Sequence, residues 1–471
     1  MPSQKPLVIV VGSGLAGLCA SYSALQAGAR VHMLDRAPKP GGNSIKASSG
    51  MNGANTPWQR AAGIPRDATF YADSVKSAGA RFRADGGTVD REGLVRLLTE
   101  QSAEAIRFLT DEVGVDLGVV ALLGGHSVAR THRGGGKVPP GAAMVTALLG
   151  RLKERDGFTL DNGAEVTGLT TEDGNVTGVE YTTPVDEEKR TLAGPVVFAT
   201  GGFAGDANGL LARFRPDLKG FPSTAEARPG MHDLLTAVGA ELVDMDSVQI
   251  HPTGFVDPAS PESLSKFLAA EVLRGEGGIL LDPSGKRFVN EMETREHVSG
   301  VMMKFPPFRS SDGSIKQWDF SLLLDPGACE AAGSHLGFYM FKGLVQKKKV
   351  KDLAPAVIAS IGEYADTVAG KSADTFGRTN FGHWRLKSGE ENRDEEICVG
   401  NITPVVHFTM GGVAFNDKAQ VLGKGMKPVL GLFAAGEITG GIHGDNRLGG
   451  SSLLECVVYG RIAGQQAAGA S

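Results

Sequence analysis

Five consecutive apolar residues, Leu7-Val8-Ile9-Val10-Val11, run directly into Gly12-Ser13-Gly14-Leu15-Ala16-Gly17, and a helix-forming stretch continues to about Ala27. A strand with no polar alternation expects cover on both faces, as in a parallel sheet. Three glycines at this spacing have separate uses. Gly12 permits the tight turn, Gly14 lets a pyrophosphate approach the backbone, and Gly17 lets helix and strand pack closely, while Leu15 and Ala16 begin the helix whose N-terminus faces the anion. A second strand from Ala29 to Leu34 ends in Asp35, about 20 residues beyond the glycines, where a carboxylate accepts hydrogen bonds from ribose hydroxyls. Arg36 follows at once, so the motif alone leaves a phosphorylated ribose open.

What comes after the acid separates a long dinucleotide from a short one. Gly41-Gly42-Asn43-Ser44 and Ala47-Ser48-Ser49-Gly50-Met51-Asn52 form a small, hydrogen-bonding loop suited to wrapping an extended cofactor, which favours FAD over NAD. Two more strands with glycine exits occur far downstream, Pro195 to Phe198 before Thr200-Gly201-Gly202 and Val429 to Ala434 before Gly436-Glu437. Each is expected beside the first strand, delivering backbone N–H groups to the cofactor. The nucleotide domain is therefore discontinuous, with other structure inserted.

The insert holds a set of ionisable residues. His251 lies in Gln249-Ile250-His251-Pro252-Thr253-Gly254, and Glu271 and Arg274 fall at i,i+3 in a short helix or turn. Ile279 to Leu281, the turn Asp282-Pro283-Ser284-Gly285 and Lys286 to Asn290 read as a hairpin that folds Arg295 back toward Glu271. His407 and Arg447 come later. Two histidines and an arginine suit a pocket gripping two carboxylates, and a Glu/Arg/Arg group suits proton transfer into it.

Charge and composition exclude other classes. The 48 basic and 53 acidic residues leave a net charge of −5, with no basic tail to neutralise a phosphate backbone, so nucleic acid is not an expected partner. The 4 cysteines form no C-x-x-C pair, which argues against a disulfide framework or structural zinc and leaves no metal site in the expectation. Neither a signal peptide nor a membrane span is read from the chain, and a cytoplasmic location is the default.

Taken together, the segments GSGLAGL, GGNSIKASSGMNGA, GGHSVARTH, QIHPTGF, KFLAAEVLRGEGGILL, KRFVNE, PVVHFTMGG, LFAAGE and HGDNRLGGSSLLECVVYGR resemble the flavoprotein family of fumarate reductases and succinate dehydrogenases, most of all its soluble single-chain fumarate reductases. The matches run in order from residue 7 to about 463, and only about 303–398 lacks a usable motif. The resemblance implies an α/β fold: a discontinuous Rossmann-like FAD-binding domain (1–245 and 408–471) with an inserted α+β capping, or clamp, domain (246–407). It implies fumarate reduction to succinate by hydride transfer from N5 of reduced FAD. His251, His407 and Arg447 would bind the carboxylates, Arg295 would be the acid, and Glu271 and Arg274 would resupply its proton. Ser452 and Leu453, in the last segment, would join the cofactor contacts.

Two departures refine that expectation. Members that attach FAD covalently do so through a histidine in the loop after the second strand; residues 41–51 contain none, so noncovalent FAD is expected. Ala270 stands where some members carry a threonine, so one substrate hydrogen bond is expected to be missing or supplied by water. A different flavin enzyme on this scaffold, such as an aspartate oxidase or a reductase of another acrylate, and a non-catalytic dicarboxylate sensor are the alternatives. No haem motif, ferredoxin cysteine cluster or second nucleotide domain is present, so electrons are expected from free reduced flavin or a separate reductase. Nothing in the residues fixes oligomeric state, and a monomer is the working expectation.

Overall fold

The computed structural model describes residues 5–84, 89–136, 138–184, 186–310 and 313–470. In chain order its main elements are β1 (Leu7–Val11), α1 (Leu15–Gln26), β2 (Arg30–Asp35), β3 (Phe158–Asn162), β4 (Val196–Phe198), β5 (Val248–Phe255), β6 (Phe267–Leu268), β7 (Ile279–Leu281), α2 (Arg295–Met302), β8 (Phe320–Leu324), β9 (Glu396–Thr409), β10 (Gln420–Gly423), β11 (Lys427–Ala434) and α3 (Ser451–Gly469). The apolar β1 is central, as its composition demands. The first sheet has the order β10-β11-β4-β1-β2-β3, and all neighbours are parallel except the β10/β11 pair. Of the two later strands expected beside β1, β4 takes that place and β11 sits one strand further out.

Two helices cover one face of this sheet at backbone contact. A Cβ at Gly17 would collide with the Gly12 carbonyl, and Cβ atoms at Gly460 and Gly464 would collide with the carbonyls of Ala16 and Ala20. Small residues on α1 and α3 therefore set their spacing, and α3 brings the last part of the chain back onto the first.

The second sheet has the order β6-β5-β9-β8-β7, antiparallel throughout, with Gln346–Lys349 pairing along β9. Every residue of β5 is buried, including His251. The β5/β9 register slips between His251 and Gly254, at the point where Pro252 has no N–H to contribute. That irregularity re-aims His251 out of the ladder. The expected hairpin after β7 is only partly formed: Leu281 bridges Arg287, but β7 takes β8 as its ladder partner. Arg287 is instead drawn to Glu291 and Asp374.

Gly464→Val should force α1 and α3 apart and lower stability by about 1–3 kcal/mol. Equilibrium denaturation against the parent protein measures this directly.

Candidate active site

The C-terminal ends of β1, β2 and β4, the N-termini of α1 and α3, and residues from the second sheet enclose a cavity of about 610 Å³. Gly12, Gly14, Ala16, Asp35, Arg36, Gly42, Asn43, Ser44, Ser48, Gly50, Thr200, Gly201, Gly202, Gly436, Glu437, Ser452 and Leu453 all line it. Leu15, Gly17, Met51 and Asn52 do not. Leu15 and Met51 belong to the apolar core, and Gly17 is a packing contact. Asn52 braces the wall from behind: its Nδ2 donates to the Gly449 carbonyl at 2.7 Å, and its Oδ1 accepts from Thr131 Oγ1 at 2.7 Å.

The wall fits a long dinucleotide. Gly12 has φ +102°, and a Cβ there would strike Ala199, so the turn both needs and exploits glycine. The α1 N-terminus has no side-chain cap and no acid in its first turn, which suits an anionic group. Thr200 Oγ1 is buried with no partner in the chain. Asp35 is also a structural residue: it accepts from Ser13 N–H at 2.7 Å and from Ser13 Oγ, tying the glycine turn to β2. Its carboxylate retains acceptor sites for sugar hydroxyls.

Arg295, His407 and Arg447 line the same cavity, whereas His251, Glu271 and Arg274 form a buried layer around them. Arg295 opens α2, N-capped by Thr294, and its Nε donates to Glu271 Oε2 at 2.6 Å. The opposite carboxylate oxygen, Oε1, accepts the Gly124 N–H at 2.9 Å and lies 3.9 Å from Arg274 NH2. Burial would raise the Glu271 pKa, but the charges of Arg295 and Arg274 outweigh it and hold the carboxyl at about 2. Both arginines expected near Glu271 are there, and Arg295 is the strong partner.

The histidines are neutral donors or acceptors. Burial, followed by nearby arginine charge, pushes both His251 and His407 well below the usual range. His251 Nδ1 accepts from Thr253 N–H at 3.2 Å, which leaves the ring proton on Nε2, an atom with no partner in the chain. His407 packs edge-on against it, with ring centroids 5.2 Å apart, and its Nδ1 is 2.9 Å from Thr224 Oγ1. Arg447 lies with its Cζ 4.4 Å from the Phe408 ring centroid, which fixes the plane of the guanidinium.

Some participants had no sequence signal, Thr224 among them. His126 lies in the quoted segment GGHSVARTH, and it bridges Arg130 NH1 at 2.9 Å and the Gly449 carbonyl at 2.9 Å, steadying the loop that reaches Glu271. Tyr339 comes from the segment without motifs, yet its hydroxyl accepts the Ala270 N–H at 3.1 Å and donates to the Leu268 carbonyl at 2.9 Å. Among the described residues no cluster of metal-ligating side chains occurs, and no helix is long and apolar enough to cross a membrane.

Burial pushes Glu437 up to about 7, against the lowering pull of Thr409 and Arg447. A raised carboxyl pKa means that the folded state holds the proton more tightly. Its stabilising contribution is full below the unfolded value near 4.5 and disappears as pH rises through about 7. The buried histidines shift whole-protein stability the other way with pH, so the Glu437 contribution is read as a difference: in cofactor-free protein the stability of the parent relative to Glu437→Gln should fall by on the order of 2 kcal/mol from pH 5 to pH 8 in thermal denaturation.

Residues 8–453 match the family model described as FAD binding domain. Fumarate reductase 1 of Saccharomyces cerevisiae is 41% identical over 98% of this chain and 98% of that protein, and the fumarate reductase of Schizosaccharomyces pombe is 39% identical over 98% and 88%. A solved open conformation of a flavocytochrome c3 fumarate reductase superposes with a TM-score of 0.75 at 31% identity, covering 100% of this chain and 79% of that one. With a family model over nearly the whole chain and relatives at this identity and coverage, this chain belongs to the FAD-binding-domain flavoproteins, within the fumarate reductase family.

Proposed function

We propose that the protein is a fumarate reductase, producing succinate in a pocket formed by the cavity and its arginine-rich wall. One observation carries the reading: Arg447 Nε, Arg295 NH1 and His251 Nε2 are buried donors without partners in the chain, gathered around one site. Leaving such donors unmatched costs about 1–3 kcal/mol each, more when charged, and an acceptor-rich dicarboxylate satisfies them. Charge supports the same ligand. Arg295 and Arg447 both line the cavity and repel each other, and an anionic ligand between them offsets that repulsion. The nearby acids Glu271, Glu437 and Glu455 supply part of the compensation from the wall and behind it.

FAD, when bound in the glycine-lined part of the cavity, supplies the hydride. The chain's own residues manage charge and protons. Arg447 and the two neutral histidines hold the carboxylates, and Arg447 stabilises the negative charge that builds on the carboxylate next to the carbon being protonated. Arg295 gives the proton to that carbon. An arginine acid is reasonable there because the carbanion-like centre is a far stronger base than water, and Glu271, 2.6 Å from Arg295 Nε, passes the replacement proton on from Arg274.

The cap in this reading is 246–407 and the FAD-binding part is 1–245 with 408–471. In support, the parallel sheet takes no strand from the middle segment, and the second sheet takes all of its strands from between Val248 and Thr409. FAD is held noncovalently, since no histidine occurs in 41–51. Electrons come from free reduced flavin or a separate reductase, and the enzyme acts as a cytoplasmic monomer.

Arg295→Ala should retain FAD, seen in its visible spectrum, while losing fumarate reduction by about a thousandfold or more, by analogy with the removal of one positioned transition-state donor. Normal turnover with intact FAD would remove Arg295 from the acid role. Denaturation should also release the yellow cofactor into the supernatant after precipitation; colour retained on the chain would contradict noncovalent binding.

A further inference from the structure

Behind Arg274 lies a second buried charge cluster whose members come from separate parts of the chain. Glu291 is its centre: Oε2 accepts from Arg287 NH2 at 2.8 Å and Arg378 NH1 at 3.0 Å, and Oε1 accepts from Arg287 Nε at 2.9 Å and the Leu280 N–H at 3.2 Å. Asp374 closes the cluster, 2.5 Å from Arg287 NH1 and accepting the Arg378 N–H at 2.9 Å. None of these side chains lines the cavity.

The two inner arginines differ sharply in how they are held. Every nitrogen of Arg378 is engaged: besides Glu291 it donates to the carbonyls of Asn380 at 2.7 Å, Gly278 at 2.9 Å and Arg274 at 2.9 Å. Arg274 is equally buried, but its side chain makes one hydrogen bond, NH1 to the Glu291 carbonyl at 2.5 Å. Its Nε and NH2 have no hydrogen-bond partner, and NH2 is the atom 3.9 Å from Glu271. Arg274 is thus clamped through its own backbone carbonyl by Arg378 and through NH1 by the backbone of Glu291. Its remaining N–H groups stay open toward the relay carboxylate.

We propose that Arg378 and Glu291 are positioning residues for Arg274, keeping its open N–H face turned toward Glu271 so that a small movement completes the contact that proton resupply requires. The inference rests on the fumarate reductase reading and adds to it two residues that touch neither substrate nor FAD. A rigid clamp on one side and a single tether on the other make the guanidinium hinge about NH1, so that a small movement closes the gap to Glu271. Loss of the clamp lets Arg274 drift and slows resupply without altering the groups that grip the carboxylates.

The test is steady-state kinetics on FAD-loaded Arg378→Gln and Glu291→Gln, with flavin content and fumarate binding measured on the same samples. We expect kcat to fall at least tenfold in both, KM and Kd for fumarate to change less than twofold, and the solvent deuterium isotope effect on kcat to increase as proton resupply becomes limiting. A purely structural cluster would instead lower flavin content and melting temperature, with an unchanged isotope effect per loaded site; that result overturns the proposal. If Arg378→Gln does not fold, Glu291→Gln, which keeps the backbone tether to Arg274, decides alone. Failure of both to fold also overturns it, because the cluster then serves stability. A wild-type protein that does not reduce fumarate would defeat the underlying reading instead, and the two failures are distinguishable.

Discussion

The carboxylate of Glu271 organises the catalytic half of the molecule. Buried without company it would take up a proton or unfold its surroundings; with Arg295 at 2.6 Å on one oxygen and the Gly124 N–H at 2.9 Å on the other, it stays ionised. Three structural units meet on this one group. Arg295 starts α2, Glu271 precedes the short helix Val272–Gly275, and Gly124 belongs to the loop braced by His126 and Arg130. Removing either partner of such a buried pair typically costs about 3–5 kcal/mol, so the pocket and the fold around it are held by the same contact.

Division of labour follows from depth. Arg295 and Arg447 on the cavity wall keep nitrogen donors without partners, while the supports behind them are tied into bonds that fix the wall. Asn52 behind Gly449, Thr253 behind His251 and Phe408 beneath Arg447 each orient a group without facing the cavity or, for Phe408, without offering it a polar atom. Precise placement of charges in a dry pocket requires supports of this kind, because a guanidinium that can relax toward solvent stabilises a developing charge far less.

Much of the nucleotide half was readable directly from the chain because its constraints are local. An apolar run, a glycine whose φ of +102° excludes a side chain, and an acid closing the next strand are all dictated within 35 residues. The ionisable residues of the pocket were also visible, as was the approach of Arg295 to Glu271; what i,i+3 spacing could not show is that Arg295 is the strong partner and Arg274 the distant one. Arg274, Arg287 and Glu291 lie in the quoted segments KFLAAEVLRGEGGILL and KRFVNE, but their union with Asp374 and Arg378 had no signal, since those two lie 87 residues beyond Arg287 and Glu291 along the chain. The second arm of the expected hairpin was lost for a related reason, as Arg287 satisfies Glu291 and Asp374 rather than extending a ladder. Asp35 was expected at the ribose alone, and its bond to Ser13 shows that an acid at the end of a strand can also lock the turn that precedes the helix.

The central claim is that unpartnered donors around the cavity are arranged for reducing a dicarboxylate alkene. The most direct measurement is anaerobic: reduce the FAD-loaded protein, add one equivalent of fumarate, and follow flavin absorbance while assaying the product. The account predicts rapid return of the oxidised spectrum with one succinate formed per flavin. Fumarate that binds while the flavin stays reduced would contradict it, leaving a site that recognises the dicarboxylate without transforming it.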